Sequence, residues 1–332
     1  MQRMVFLCKI TIGDLVFESI SEVDGEKTWR KYTGTANIKF PKAVEYKVGN
    51  MVFPIDSLKD LIKTGDSVKI ELGYNKVLVT EFEGYVSQIQ PTIPIEINCE
   101  DEMFKMKRNN VSINIEDATV REILEAAAPG YEIACADEKY GDFSYVNTTS
   151  AKVFEELKKK AGLYTFFRGK RLVCGLPYSD VKVSEVIPNF VFGQNIIDNS
   201  LVYKSPEDCN VKIYGKSIQN DGSVIVYDVG NEGGDIQRMN IDYQITKEQL
   251  KQLVDNRYNN AKTNGGYAGS ITSYGFPFVE HGQRVRIYDP GIYEKRDTTN
   301  FVDTVKFSAS MSSGYRRECE IGKYATDKKL LK

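Results

Sequence analysis

A single histidine, His281, limits the catalytic chemistry this sequence could support. A Ser-His-Asp or Cys-His centre would have to be assembled around it, and its setting, VEHGQRV, is that of a turn leading into a strand. Neither an HExxH motif nor a multi-histidine zinc or iron site can be built from one imidazole. Six cysteines, Cys8, Cys99, Cys135, Cys174, Cys209 and Cys319, are dispersed with no CxxC and no close pair. That spacing points to free thiols made in a reducing compartment and used as small buried hydrophobes. Carboxylates are the remaining route to hydrolysis, because a glycosidase needs only two of them several ångströms apart. Glu100, Asp101 and Glu102 are candidates by proximity, as are Asp289 and Asp297, but both groups lie in turn-like or cap-like sequence. Among 46 acidic residues such neighbours arise by chance. A calcium loop at DPG (289–291) or NDG (220–222) competes with a simpler reading of NDG as the hairpin turn between VKIYGKSI and SVIVYDV. The residues therefore commit to no catalytic, cofactor-binding or metal site.

The elements that would have to position such groups read mainly as strands. The chain has 332 residues, 41% of them hydrophobic, enough for two or three domains with separate cores. Forty-four basic residues against 46 acidic ones give a net charge of -2, with no global footprint for a phosphate backbone. The local cluster Lys105, Lys107 and Arg108 ends a helical turn, where cations favour the helix dipole. The N-terminal MQRMVFLCKI stops being apolar at Lys9, too soon for an export signal, and reads as a first strand. No stretch reaches the roughly 20 apolar residues of a membrane span.

Along the chain, VFLCKITIG and TWRKYTGTANIKF read as strands, with Trp29 as a core or interface aromatic. A helical turn is expected over 55–66. Val68, Ile70 and Leu72 then share one strand face, Phe82, Gly84 and Val86 open the next strand, and Ile93, Ile95, Ile97 and Cys99 alternate in a third. Asp101 is placed to cap a turn at DEMFKMK, whose Met103, Phe104 and Met106 are expected to plug the barrel end. Residues 109–178 read as an α+β insert. One helix there can be capped by Asp117 or Thr119, with Thr119 and Glu122 fitting a capping box and Val120, Ile123, Leu124 and Ala127 inward; a second starts at Ser150 with Val153, Phe154, Leu157 and Ala161 inward, before a hairpin through Gly169. Residues 179–332 return to strands, interrupted by a helix at 246–262 with a Thr246/Gln249 capping box. The Tyr- and Phe-rich stretch YGFPF at 274–278 is apolar and turn-like, and the tail at 326–332 is expected to fray or to serve as a short contact segment.

One pattern occurs twice. GDSVKI (65–70), FEGYV (82–86) and INCED (97–101) are matched by GQRVRI (282–287), FVDTV (301–305) and RECEI (317–321), at nearly the same intervals. The expected fold class is mainly β with an α+β insert: two similar small β-barrels, 1–108 and 179–332, flanking a central α+β domain, 109–178. In this reading Cys99 and Cys319 occupy matching places.

With these pieces in order, the chain resembles the baseplate hub proteins of phage tails and contractile injection systems: the late-control-D-like group, the Mu-type tail hub and the hub portion of VgrG spikes. The resemblance is carried by GDSVKIELGY, FEGYVSQIQP and IEINCEDEMFKMK, and by NNAKTNGGYAGSI, GFPFVEHGQRVRI and VKFSASMSSGYRRECEIG. It implies a non-enzymatic homotrimer whose six barrels form a pseudo-sixfold ring, joining the sixfold tail tube to a threefold spike around a delivery channel. It further implies a tail tube protein, a separate spike protein and other baseplate proteins as partners, with no cofactor and no nucleic-acid sequence recognition. The expected location is the virion tail baseplate or an injection-system particle, assembled in the bacterial cytoplasm. Two other classes stay open: a peptidoglycan-degrading tail enzyme, which would need two essential carboxylates in a cleft, and a carbohydrate-binding or adhesion module, expected to show glycan-dependent fluorescence at Trp29.

Overall fold

Alternation at period two governs most of the chain, and the computed structural model shows the mainly β protein that such a pattern dictates. The structure describes residues 4–325 apart from 42–44, 49–50, 55–60, 91, 137, 179–185, 205–209, 220, 242–245, 263–265 and 292–295. The first half of the helical turn expected over 55–66, residues 55–60, therefore falls outside the described residues, as do Cys209, Asn220 and the 326–332 tail.

One 16-stranded sheet runs through both ends of the chain and curls around two cores as two small β-barrels. Ile10, Ile70, Leu72, Phe82, Val86 and Ile97 fill the first, and Ile271, Val285, Ile287, Val302, Val305 and Cys319 the second. Val68, Ile70 and Leu72 face inward as their alternation predicts. Ile93, by contrast, is 81% exposed and precedes the strand Ile95–Glu100.

The barrels share a strand. Thr298–Ser310 pairs with Arg284–Tyr288 along its first part and with Glu22–Thr28 along its second, from Thr304 opposite Thr28 to Ser310 opposite Glu22. Its hairpin partner is Gly314–Tyr324, and Phe307, Ala309 and Tyr315 of this hairpin lie in the first core. The strand Glu22–Thr28 is not apparent from its sequence, EVDGEKT, because only Val23, Gly25 and Thr28 are buried along it. Gly25 is required for packing: a Cβ there would sit 2.3 Å from the Phe307 ring and 2.8 Å from the Thr35 carbonyl oxygen.

Helix α1 (Met103–Met106) follows the first barrel; Glu102 stands at its N-cap position without a side-chain cap bond, and Asp101, one residue earlier, accepts from the Met103 N–H at 3.0 Å. Its methionines do not plug the barrel. Met103 and Met106 pack in the core of the insert, and only Phe104 turns toward the barrel, stacking on Tyr85 at 5.7 Å. Four residues make little more than one turn, so the buried side chains split between two neighbours. In the insert, α2 (Val120–Ala127) carries the Thr119/Glu122 capping box and buries the four predicted residues. Helix α3 (Ser150–Ala161) buries Val153, Phe154 and Leu157, but Ala161, in the last turn before the left-handed cap Gly162, is exposed. The hairpin Tyr164–Arg168 and Arg171–Gly175 forms as expected.

Helix α4 (Lys247–Lys262) starts at the Thr246/Gln249 capping box, with bonds of 2.9 and 3.2 Å. It covers a separate three-stranded sheet, Val211–Ile218, Val224–Gly230 and Asp235–Ile241, around Ile213, Leu250 and Val254. The turn after Gln219 joins the first two of these strands, as read for NDG.

Candidate functional site

The repeat is real at the level of backbone hydrogen bonds. Gly65 N–H donates to the Val86 carbonyl and Val86 N–H to that of Asp66; Gly282 N–H donates to the Val302 carbonyl and Val302 N–H to that of Gln283. Both glycines have positive φ, 96° and 82°, which a side chain would strain. Val68 opposite Gly84 and Ile70 opposite Phe82 correspond to Val285 opposite Asn300 and Ile287 opposite Thr298. Both meanders then break register at the same step, past Ser87 in the first and past Asp303 in the second. Beyond the bulge, the row Val23, Ile38, Ile97, Ile89 matches Asn199, Ile271, Cys319, Val305.

This register corrects the sequence match in two places. FEGYV corresponds to TTNFV at 298–302, not to FVDTV, and Cys319 corresponds to Ile97, not to Cys99. An offset of three residues reverses the face of a strand: Phe82 is buried, whereas Phe301 turns outward to stack on Tyr178 at 4.3 Å. The two cysteines differ by two positions, which preserves the face, so both are buried. Burial raises the Cys99 thiol to about 12 and the Cys319 thiol to about 11.

The outer face of the shared sheet is polar and continuous from one barrel to the other. One cross-strand row runs Thr272, Glu318, Lys306, Glu26, Thr35, Glu100, and the next runs Arg316, Ser308, Asp24, Asn37, Asn98, Gln88. A third row places Ser310, Glu22, Lys39, Glu96 and Gln90 side by side. Together these rows hold more carboxylates than cations, and the first two line a depression of about 640 Å³. Partial burial, with Glu22 and Glu96 nearby, raises the Asp24 carboxyl above its ordinary value.

Behind this face, two buried polar clusters lock the parts together. Asp303, at the bulge and 4% exposed, accepts from the Trp29 indole at 3.1 Å and from the Tyr178 hydroxyl, and it pairs with Arg30. Trp29 packs edge-on against Tyr164 of the insert at 4.8 Å, so it is an interface aromatic between three parts of the chain. In the second cluster, Glu81 and Arg317, 1% and 2% exposed at the side chain, lie 3.2 Å apart, and the Tyr315 hydroxyl donates to Glu81. Asp303 and Arg317 carry no motif, and nothing short of the tertiary register marks them.

The residues singled out for chemistry are placed apart. His281 is buried at the turn, its ring 4.7 Å from Phe166, with no partner for Nδ1 among the described residues. Burial, with Arg168 and Lys27 nearby, holds the imidazole well below its usual range. Glu100 pairs with Lys107 at 2.9 Å, Asp101 accepts from Gly34 and Met103 N–H, and Glu102 accepts from the Tyr85 and Tyr131 hydroxyls. Burial pushes the Asp101 carboxyl up to about 7. Asp297 forms a two-pronged pair with Arg286, and Asp289 accepts from Gly291 N–H. Each carboxylate thus has a structural partner. Among the described residues there is no cluster of three or more His, Cys, Asp or Glu side chains that could hold a metal ion.

No protein-family model matches the sequence, and no curated protein does. Solved structures do match. The 43 kDa tail protein of prophage MuSo2 from Shewanella oneidensis superposes with a TM-score of 0.64 at 14% identity, over 96% of this chain and 98% of that one. The tail protein from Neisseria meningitidis MC58 gives 0.63 at 13% identity over 96% of both. This chain has the fold of phage tail proteins. The E. coli c3393 protein, a type VI secretion component described as similar to the T4 tail proteins gp27 and gp5, gives 0.56 at 10% identity, over 97% of this chain and 79% of that one. The resemblance to hub proteins read from the sequence thus agrees with the fold, and no helix among the described residues is long and apolar enough to cross a membrane.

Proposed function

We propose that the chain is a structural hub of a phage tail or of a phage-tail-like contractile injection system. Three copies form a ring of six barrels, which offers a pseudo-sixfold surface to the tail tube and a threefold one to a separate spike protein. The observation that carries this reading is the repeated meander with its bulge at the same step, since symmetry matching requires two equivalent barrels per chain. The fold likeness to tail proteins supports it. In this assembly 1–108 and 179–332 supply the barrels and 109–178 the insert, and the polar, predominantly acidic sheet face lines the delivery channel. The protein works by geometry, at the baseplate of a particle assembled in the bacterial cytoplasm.

Negative-stain electron microscopy of the purified protein tests this. Threefold rings with a central pore and six lobes are the expected result. Turnover of peptidoglycan, or monomers whose Trp29 fluorescence responds to glycan, would instead favour the enzymatic or binding reading.

A further inference from the structure

The seam between the two barrels is a strand pairing whose register is visible within one chain. Thr304, Val305 and Lys306 lie opposite Thr28, Lys27 and Glu26. The equivalence of the barrels identifies the same two strands at the outer ends of the molecule. Gln88, Ile89 and Gln90 correspond to Thr304, Val305 and Lys306, since Ile89 faces Ile97 as Val305 faces Cys319. Val202 and Tyr203 correspond to Glu26 and Lys27, since Val202 faces Ala268 in the register that sets Asn199 opposite Ile271.

Both of these edges are open among the described residues. Ile196–Asn199 and Val202–Lys204 pair with Gly266–Ser273 alone, and Val77–Gln90 beyond Tyr85 pairs with Ile95–Glu100 alone. Among the described residues the Leu201 N–H donates to the Asn199 side chain alone, at 3.2 Å. Exposure follows the missing partner. Thr304 and Val305 are 4% and 2% exposed in the seam, whereas Gln88 is exposed, Ile89 half-buried, and Val202 68% exposed.

We infer that these two edges are the two sides of one interface between copies of this chain. Residues 88–90 of one copy pair antiparallel with 202–204 of the next, in the register of the intrachain seam. Ile89 then faces Tyr203 and Gln90 faces Val202. The first of these is a β-branched side chain against an aromatic, a favourable cross-strand pair. Ile89 already packs on the first core and Tyr203 on the second, so the pairing extends both. Because the two edges differ, the contact is heterologous, and three copies close it into one continuous sheet that leaves neither edge open. The inference deepens the hub reading and rests on its ring.

The test is a double variant, Ile89→Cys with Tyr203→Cys, oxidised at increasing protein concentration and sized under denaturing, non-reducing conditions, with the mass of the native parent measured in parallel. Covalent species of two and three chains, ending at three and reversed by thiol, are expected. The off-register pair Ile89→Cys with Asn199→Cys should cross-link no more than the parent. Should the double variant fail to fold, mixing the two single variants gives the same readout, as cross-linked pairs that form only in the mixture. A native trimer without the 89–203 cross-link overturns this interface and leaves the hub reading standing. A chain that stays monomeric at every concentration overturns both, and a ladder continuing past three chains overturns the closed ring.

Discussion

The two barrels share a meander and differ in how they are covered. In the first, the strand Glu22–Thr28 is roofed by the hairpin of the second barrel, and Gly25 leaves room for the Phe307 ring. In the second, the corresponding position is Leu201, on an edge with no strand beside it among the described residues. The connections differ too. The turn at 29–34 brings Trp29 and Arg30 to Asp303, whereas the matching connection after Lys204 carries a whole three-stranded sheet with α4. Hydrogen-bond register is therefore what the repeat preserves, and variation is confined to loops and edges, where it does not disturb the ladder.

The largest effect should come from putting a charge into either core. Ile70→Lys in the first barrel and Ile287→Lys in the second each bury an unpaired ammonium, at a cost on the order of several kcal/mol. Because Thr298–Ser310 contributes to both cores, each variant should lose the whole β-structure in circular dichroism. A variant that unfolds one barrel and leaves the other native would show that the shared strand does not couple them.

Next comes the buried pair that ties a first-barrel strand to the hairpin of the second. Arg317→Met leaves Glu81 buried without its cation and should cost about 3–5 kcal/mol, read as a fall in denaturant midpoint. The double variant Glu81→Leu with Arg317→Met should recover much of that loss. No recovery would show that Arg317 acts through its bond to the Val279 carbonyl instead. Gly25→Ala tests the coverage itself and should cost about 1–3 kcal/mol through overpacking, while Leu201→Ala, on the open edge of the single chain, should cost less.

The smallest effect is a pH slope. His281 is held neutral in the fold, so the unfolded chain takes up its proton first as pH falls below about 6.5. Stability should then decline on acidification by up to about 1.4 kcal/mol per pH unit from this residue, and be unaffected by it above that range. The buried Asp101, raised to about 7, works in the opposite sense: its share of stability increases as pH falls from about 7 toward its unfolded value near 3.8. Denaturant titrations of His281→Phe against the parent isolate the first contribution. Equal acid slopes in the two proteins would mean that the imidazole is protonated in the fold.

Much of this architecture was legible in the chain. Both capping boxes and the buried positions of α2 could be read directly, because capping and helical periodicity depend on residues a few positions apart. The order of the repeat could be read as well, but its register could not. Matching Phe82 to Phe301 aligned residues of one type that lie on opposite faces of their strands, and only the turn bonds of Gly65 and Gly282 set the true pairing. Glu22–Thr28 escaped notice because its inward positions include a glycine whose reason, Phe307, lies far along the chain.

Local sequence thus determined where strands and helices start and stop, and that two parts of the chain are alike, since hydrophobic alternation, caps and turn glycines act over short spans. Tertiary structure alone decided the three-residue register, the strand common to both barrels, and the assembly of Trp29, Arg30, Tyr178 and Asp303 at one bulge. Those outcomes depend on which distant strands exchange hydrogen bonds, and period-two patterns accept many registers until packing selects one.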